Sequence, residues 1–286
     1  MHQYDVTAII LSHNSDDLLT RCLTALATSN GLSVEIIVVD NGSTDDTIEA
    51  ARRASPDIRL IASPTNIGYA AGNNLAISLA RGRYLAFVNV DAFVEPQTLV
   101  TMVGFLDANP AVGVAGPRLV YPDGSPQPYS YGADPTIKYL IRRAVRRAVR
   151  RRPMHDWTGV DPQPVDWVSG ACLLVRRELA VQTGGFDTDF FMYFEDTDWC
   201  RRIRNAGGHV YFVPTATAVH LSRPTYADRG RRRSYQESLV LYYHKHYGTT
   251  PAMVAQVLLW IFNLFERSIR ERASPRGSGG SWPPRR

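Results

Sequence analysis

Glu35-Ile36-Ile37-Val38-Val39-Asp40-Asn41-Gly42 carries four consecutive β-branched residues into an aspartate and an Asn-Gly turn. A run without polar alternation predicts a strand buried on both faces, as in parallel sheets. Downstream, Ser43-Thr44-Asp45-Asp46 reads as a capping box that opens a helix to about Ala54. Upstream, Val6–Leu11 is a second buried strand, followed by Ser12-His13-Asn14-Ser15. Asp16–Thr28 then places Leu18, Leu19, Cys22, Leu23 and Leu26 at helical spacing. Ile58–Ala62 is a further strand. Asn66-Ile67-Gly68 leads into a helix to about Ala80, and Tyr84–Val88 runs into Asn89-Val90-Asp91. Strand and helix thus alternate through the first third of the chain. This predicts an α/β fold, a mainly parallel central sheet flanked by helices. Ligands of such sheets bind beyond the carboxyl ends of the strands. The polar turns Ser12–Asn14, Asp40–Gly42, Asn66–Gly68 and Asn89–Asp91 should therefore meet at one edge.

Past that core the pattern is looser. Pro96–Ala108 predicts a helix, Val112–Ala115 a strand and Tyr121–Gly124 a tight turn. Ser125–Pro164, rich in proline and arginine, reads as an irregular basic insertion. Asp166–Val175 predicts a strand and Arg177–Thr183 a short helix. Asp196–Asn205 reads as a helix, Val210–Val213 and Ala218–His220 as short strands. C-terminal helices are expected near Tyr235–Tyr247 and Ala252–Arg272, and a disordered tail over Ala273–Arg286. The expected organisation is a catalytic domain over residues 1–222, a helical region over 223–272 and a tail over 273–286.

A chain of 286 residues, 44% hydrophobic and 21% charged, suits a globular protein with a substantial core. Cys22, Cys172 and Cys200 are widely spaced, so neither a disulfide framework nor a metal knuckle is indicated. The start lacks a basic region and an adequate apolar stretch for a secretory signal, and no run spans a bilayer. A cytoplasmic location is expected. The net charge of +5 is concentrated: seven arginines fall within Arg142–Arg152 and four within Arg229–Arg233. Such clusters point to an anionic partner. Arg142–Arg152 has a near-helical period that suits an anionic membrane surface. Val254–Phe265, with Trp260, Phe262 and Phe265, reads either as an interfacial helix or as one packed on the core.

Candidate chemistry sits at the strand ends. Asp40 is placed to accept hydrogen bonds from a base or ribose, or else to cap a helix. Asp91 follows an apolar strand, where a carboxylate either holds Mg²⁺ or Mn²⁺ or simply closes a turn. His220 ends a late strand, as a further ligand or a structural histidine. Phe190-Phe191-Met192-Tyr193-Phe194-Glu195-Asp196-Thr197-Asp198-Trp199-Cys200 brings three carboxylates directly behind an aromatic run. Shielded carboxylates have raised pKa values suited to proton transfer, although acids also favour any first helical turn. GxxxxGK[ST] and GxGxxG are both absent, so phosphates would be held by another arrangement.

Together these pieces resemble an inverting family 2 glycosyltransferase of the GT-A fold. The matching segments are Leu11–Asn14, Val38–Asp45, Asn66–Asn74, Asn89–Ala92, Val168–Arg177 and Gly184–Asp198, in that order. They are most similar to the rhamnosyltransferase-like branch. The resemblance implies that Asp40 contacts the base, with Ser12, Asn14, Asn66, Gly68, Asn74 and Asn89 lining the nucleotide-sugar pocket. It implies Asp91 as the last acid of a metal motif, His220 as a second ligand and Mg²⁺ or Mn²⁺ as cofactor. Asp196 would be the general base with Glu195 beside it, and Trp199 and Asp198 would flank the acceptor. Asn89 stands where the motif commonly has its first aspartate, and Val90 where the rhamnosyltransferase branch commonly has proline. The implied partners are a nucleotide-diphosphate sugar such as dTDP-rhamnose and a polyprenyl-diphosphate-linked or glycan acceptor, at the inner face of the cell membrane. Two other readings fit the composition: a basic nucleic-acid-binding protein, and an inactive relative that binds sugar nucleotides. The basic segments lack interleaved aromatics for base stacking, which counts against nucleic acid.

Overall fold

A computed structural model describes residues 3–29, 31–54, 57–150, 157–221 and 229–260. In chain order the elements are β1 (Tyr4–Ser12), α1 (Asp16–Ala27), β2 (Val34–Asn41), α2 (Thr47–Ala54), β3 (Arg59–Ser63), α3 (Tyr69–Ile77) and β4 (Gly82–Asn89). Then follow β5 (Ala92–Val94), α4 (Thr98–Ala108), β6 (Val112–Val120), β7 (Tyr131–Gly132), α5 (Ile137–Arg150), β8 (Gln163–Pro164) and β9 (Trp167–Val168). The last are β10 (Cys172–Arg176), α6 (Arg177–Gln182), α7 (Glu195–Asn205), β11 (His209–His220) and α8 (Arg229–Tyr247).

The main sheet has the order β3-β2-β1-β4-β10-β6-β11-β5, with β8 beside β11. β1 pairs in parallel with β2 and β4, and β2 with β3. β10 is antiparallel to both β4 and β6, so β6 and its parallel neighbour β11 run the same way as β1 to β4. Their carboxyl ends share one edge. Successive residues of a strand face opposite sides, and this alternation builds two cores. Val6, Ala8 and Ile10 of β1, with Tyr84, Ala86 and Val88 of β4, join Leu19, Cys22 and Leu26 of α1 and Leu99, Met102 and Leu106 of α4. Ile9, Leu85 and Phe87 face the other way, onto Ala70 and Ile77 of α3 and Trp199 and Ile203 of α7. Each large apolar side chain buried in these layers contributes about 1.5–3 kcal/mol.

Four expectations change. The segment Ser125–Pro164 is not irregular throughout: α5 occupies Ile137–Arg150, opened by Thr136, whose Oγ1 accepts from Tyr139 N at 3.1 Å. The strand expected over Asp166–Val175 is divided into β9 and β10, because Gly170 N leaves the ladder for the Asp196 carboxylate. Two expected short strands are one, β11, with a register irregularity between Val213 and Thr217. The α2 helix begins at Thr47 rather than in the capping box, and Asp45 Oδ1 accepts from Thr47 N at 3.1 Å.

The chain divides into two compact units, Met1–Ser238 and Leu239–Arg286. In the second, Tyr242 and Tyr243 are fully buried, and helix continues over residues 249–260. Arg151, Arg152, residues 223–228, Phe262, Phe265 and the tail over Ala273–Arg286 lie outside the described residues. Among the described residues no helix is long and apolar enough to cross a membrane.

Candidate active site

The carboxyl edge is assembled by register. Ser12 of β1 stands opposite Asp40 of β2, and Leu11 stands opposite Asn89 of β4. Val88 pairs with Cys172, and Ala92 of β5 with His220 of β11. The strand-end residues therefore lie on one edge because the hydrogen-bond ladders leave them no other.

At the β1–β2 end, Ser12 and Asp40 are each about 1% exposed. Asp40 Oδ2 accepts from Ser43 N at 3.2 Å, while Asp40 Oδ1 and Ser12 Oγ make no hydrogen bond among the described residues. A buried carboxylate oxygen and a buried hydroxyl without partners are costly, so a ligand's donor groups match them well. Asn14 has φ +50° and ties its loop to the next turn: its N donates to Ser43 Oγ at 2.9 Å and its Oδ1 accepts from Thr44 N at 2.8 Å. Asn66 Oδ1 accepts from Gly68 N and from Asn41 Nδ2, both at 3.0 Å. Asn41 also takes Ile67 N at 2.9 Å, so it clamps the whole 66–68 turn. That role was hidden in the sequence, where Asn41 reads only as half of a turn dipeptide.

Asp91 and His220 meet, with Nε2 3.3 Å from Asp91 Oδ1. Leu221 N donates to Asp91 O at 3.0 Å, locking the end of β11 against the β4–β5 turn. On its far side His220 Nδ1 lies 2.8 Å from Oε1 of Gln127, a residue not singled out by sequence. Among the described residues no group of three His, Cys, Asp or Glu side chains gathers. One carboxylate and one imidazole fit a hard divalent ion that keeps most of its coordination for phosphate oxygens and water. His220 Nε2, which makes no hydrogen bond among the described residues, points to the same fit.

The acidic stretch enters this edge through a strained bend. Tyr193 and Phe194 have φ +71° and +67°, the left-handed region that side chains other than glycine rarely occupy. The bend turns the chain into α7 and sets Asp196 against the β9–β10 break. Its Oδ2 accepts from Gly170 N at 2.8 Å and its Oδ1 from Thr197 N at 2.6 Å. Burial pushes the Asp196 pKa up, and these N–H groups oppose that rise. Ala171 O in turn accepts from Asn89 N at 2.9 Å, so two hydrogen bonds and the Gly170–Ala171 peptide link Asp196 to the chain two residues before Asp91. Glu195 is 6% exposed, and its Oε2 makes no hydrogen bond among the described residues. Burial, then the neighbouring Asp196 carboxylate, pushes its pKa well above the usual carboxylate range.

Two of the expected site residues are buried and a third is tied to backbone. Trp199 is buried at 1% exposure, edge-on to Phe87 at 5.3 Å and tilted on Phe186 at 4.2 Å, with Nε1 donating to Thr183 Oγ1. It is a core side chain that seats α7, not an acceptor contact. Asp198, also 1% exposed, accepts from Arg202 Nε at 2.7 Å, and that guanidinium bridges to Thr183 O and Gly185 O. It braces the helix instead of facing an acceptor. Asn74, half-buried, clips the Phe186 backbone through both ends of its amide, at 2.7 and 2.9 Å. A cavity of about 490 Å³ lined by Tyr131, Asp166, Arg204 and His209 lies at the amino-terminal end of β11, on the other edge from these groups.

A mostly parallel sheet sheathed by helices, with acids and a histidine at its carboxyl edge, is the arrangement of GT-A glycosyltransferases. Residues 7–180 match the family described as Glycosyl transferase family 2, and the chain belongs to that family. It is a glycosyltransferase, of an inverting family. Over 237 residues it is 30% identical to the N-acetylglucosaminyl-diphospho-decaprenol L-rhamnosyltransferase of Mycobacterium tuberculosis (strain CDC 1551 / Oshkosh), covering 76% of each chain. It is 38% identical over 106 residues to the succinoglycan biosynthesis protein ExoO of Rhizobium meliloti (strain 1021), covering 36% of this chain and 30% of that one. Among solved structures, the mannosyltransferase PcManGT from Pyrobaculum calidifontis, in complex with GDP-Man and Mn²⁺, superposes with a TM-score of 0.62 at 22% identity, covering 99% of this chain and 77% of that one.

Proposed function

We propose that the protein transfers a deoxyhexose, rhamnose-like, from a nucleoside-diphosphate donor such as dTDP-rhamnose to a hydroxyl of a polyprenyl-diphosphate-linked or glycan acceptor, inverting the anomeric carbon. The observation that carries this reading is the convergence on one sheet edge of the Asp91–His220 pair, the Asp196 carboxylate and the unpartnered Asp40 Oδ1 and Ser12 Oγ. The relative that transfers rhamnose to a decaprenol-linked sugar supports the donor and acceptor classes, and with the succinoglycan protein supports a role in polysaccharide or cell-wall assembly.

Asp40 and Ser12 receive donor groups of the nucleoside. Asp91 and His220 hold Mg²⁺ or Mn²⁺, which when bound offsets the charge of the leaving diphosphate. Asp196 takes the proton of the acceptor hydroxyl as its oxygen bonds to the anomeric carbon and the bond to the diphosphate oxygen breaks. Backbone N–H groups of Gly170 and Thr197 hold that carboxylate in place and favour its ionised form against burial. A single displacement of this kind inverts configuration.

Attachment to an anionic membrane belongs to the same reading. α5 carries five arginines and a lysine and no acidic residue, with Ile141 and Arg142 exposed. In the C-terminal unit Met253, Val254, Val257, Leu258 and Trp260 are exposed, an apolar face suited to a lipid interface.

A thermal-shift comparison of nucleotide sugars tests the donor class, since a ligand bound only by the folded state raises its melting point. dTDP-rhamnose with Mn²⁺ should raise it more than GDP-mannose or UDP-glucose. No shift with any nucleotide sugar would reject the reading.

A further inference from the structure

His220 makes a contact on the side away from Asp91 that has no role so far. Gln127 is buried at 3% exposure in the turn that follows β6. Its own N donates to Leu119 O at 2.8 Å, so the backbone fixes where its side chain begins. Its Oε1 lies 2.8 Å from His220 Nδ1. An amide oxygen only accepts, so the proton of that hydrogen bond belongs to Nδ1. A neutral imidazole carries one N–H, which leaves Nε2 with a bare lone pair. That lone pair sits 3.3 Å from a carboxylate oxygen of Asp91 and makes no hydrogen bond to it. In the Nδ1–H tautomer these two electron-rich atoms, 3.3 Å apart, are placed as two donors to one cation. The ring nitrogen remote from a metal sets the tautomer of the other, and this is how outer contacts orient metal-binding histidines.

We propose that Gln127 is a positioning residue: its side-chain oxygen holds His220 in the Nδ1–H tautomer and so presents Nε2, together with Asp91, to a divalent cation. Gln127 acts on the cation through the imidazole. The inference rests on the metal role given above to Asp91 and His220. It adds a residue from β6's end to a site otherwise built from β4, β5 and β11.

Two readouts test it on the full chain, neither of them turnover. Protein labelled with ¹⁵N-histidine, at about pH 8 and so well above the ordinary histidine pKa of about 6.5, reports the tautomer of His220 in long-range ¹H–¹⁵N spectra without metal. Loss of the free Mn²⁺ electron-paramagnetic signal, with dTDP present, reports affinity. The wild type should show Nδ1–H. Gln127→Met, of similar size but without the oxygen, should lose that preference and weaken Mn²⁺ binding about 10–100-fold. Gln127→Glu restores an acceptor and should keep the wild-type tautomer and hold Mn²⁺ within about 3-fold. The melting temperature of each variant separates a lost contact from a lost fold, and Gln127→Glu serves should Gln127→Met fail to fold. An Nε2–H tautomer in the wild type, which would mean the Gln127 amide is turned to donate, overturns the proposal. Unchanged Mn²⁺ affinity in a folded Gln127→Met, beside a wild type that binds, overturns this proposal alone. A wild type that binds no Mn²⁺ overturns the metal reading, and the proposal with it.

Discussion

Glu195 and Asp196 are adjacent acids in unlike settings, and the difference decides their chemistry. Asp196 has backbone donors on both oxygens, whereas Glu195 Oε2 is buried with no hydrogen bond among the described residues. A carboxyl with a raised folded-state pKa binds its proton more tightly folded than unfolded. Its contribution to stability is complete below the ordinary glutamate value and is lost as pH rises through the raised value. Glu195→Gln should therefore be more stable than the wild type at pH 8, because the amide has no proton to lose. The gap should close as pH falls toward the ordinary carboxylate range. A melting-temperature difference that does not change with pH would refute the assignment. Sequence made this pair visible because the acids are contiguous and follow an aromatic run. It could not distinguish Asp196 from Trp199, which lies three residues on, because side-chain direction depends on what packs on α7. The stripe Trp199, Cys200 and Ile203, at helical spacing, was the available sign that this face is core.

Elements were legible where local pattern and tertiary setting agree. β1, β2 and β4 are buried on both faces, so their unbroken apolar runs had one interpretation. α5 was concealed by its composition: a helix so basic gains little from burial, and only the Asp134-Pro135-Thr136 start carries a boundary signal. The division of β9 from β10 was not readable at all, since it is caused by a carboxylate 26 residues away in sequence. Gly68 shows how tightly the elements of the site are coupled. Its φ of +88° and ψ of +173° lie in a region open essentially to glycine alone, and an added Cβ would sit 2.7 Å from Phe191 O. Tyr69 N also donates to that carbonyl at 2.8 Å, joining the 66–68 turn to the acidic stretch. Gly68→Ala should cost about 2 kcal/mol or more and weaken nucleotide-sugar binding, read by denaturant melts and by calorimetry. A variant with wild-type stability and affinity would contradict this coupling.

At the scale of the whole molecule, charge and the catalytic edge describe one task on our reading, bringing a dissolved donor to an acceptor held at a membrane. Basic residues near an anionic surface contribute about 1 kcal/mol each. Replacing Arg142, Arg143, Arg146 and Arg147 with glutamine should therefore reduce sedimentation with phosphatidylglycerol vesicles by a hundredfold or more in partition coefficient, while leaving binding to phosphatidylcholine vesicles weak in both forms. Equal partitioning of the two proteins would exclude α5 as the contact.

The most direct measurement is sugar transfer by Asp196→Asn, with donor affinity determined on the same preparation. Asparagine keeps the size of the side chain and its reach toward Gly170 but takes no proton. Turnover should fall by about 10²–10⁴-fold, the usual contribution of a general base, while the dissociation constant of the donor stays within about 2-fold. Turnover close to that of the wild type would contradict the assignment of Asp196 as the base.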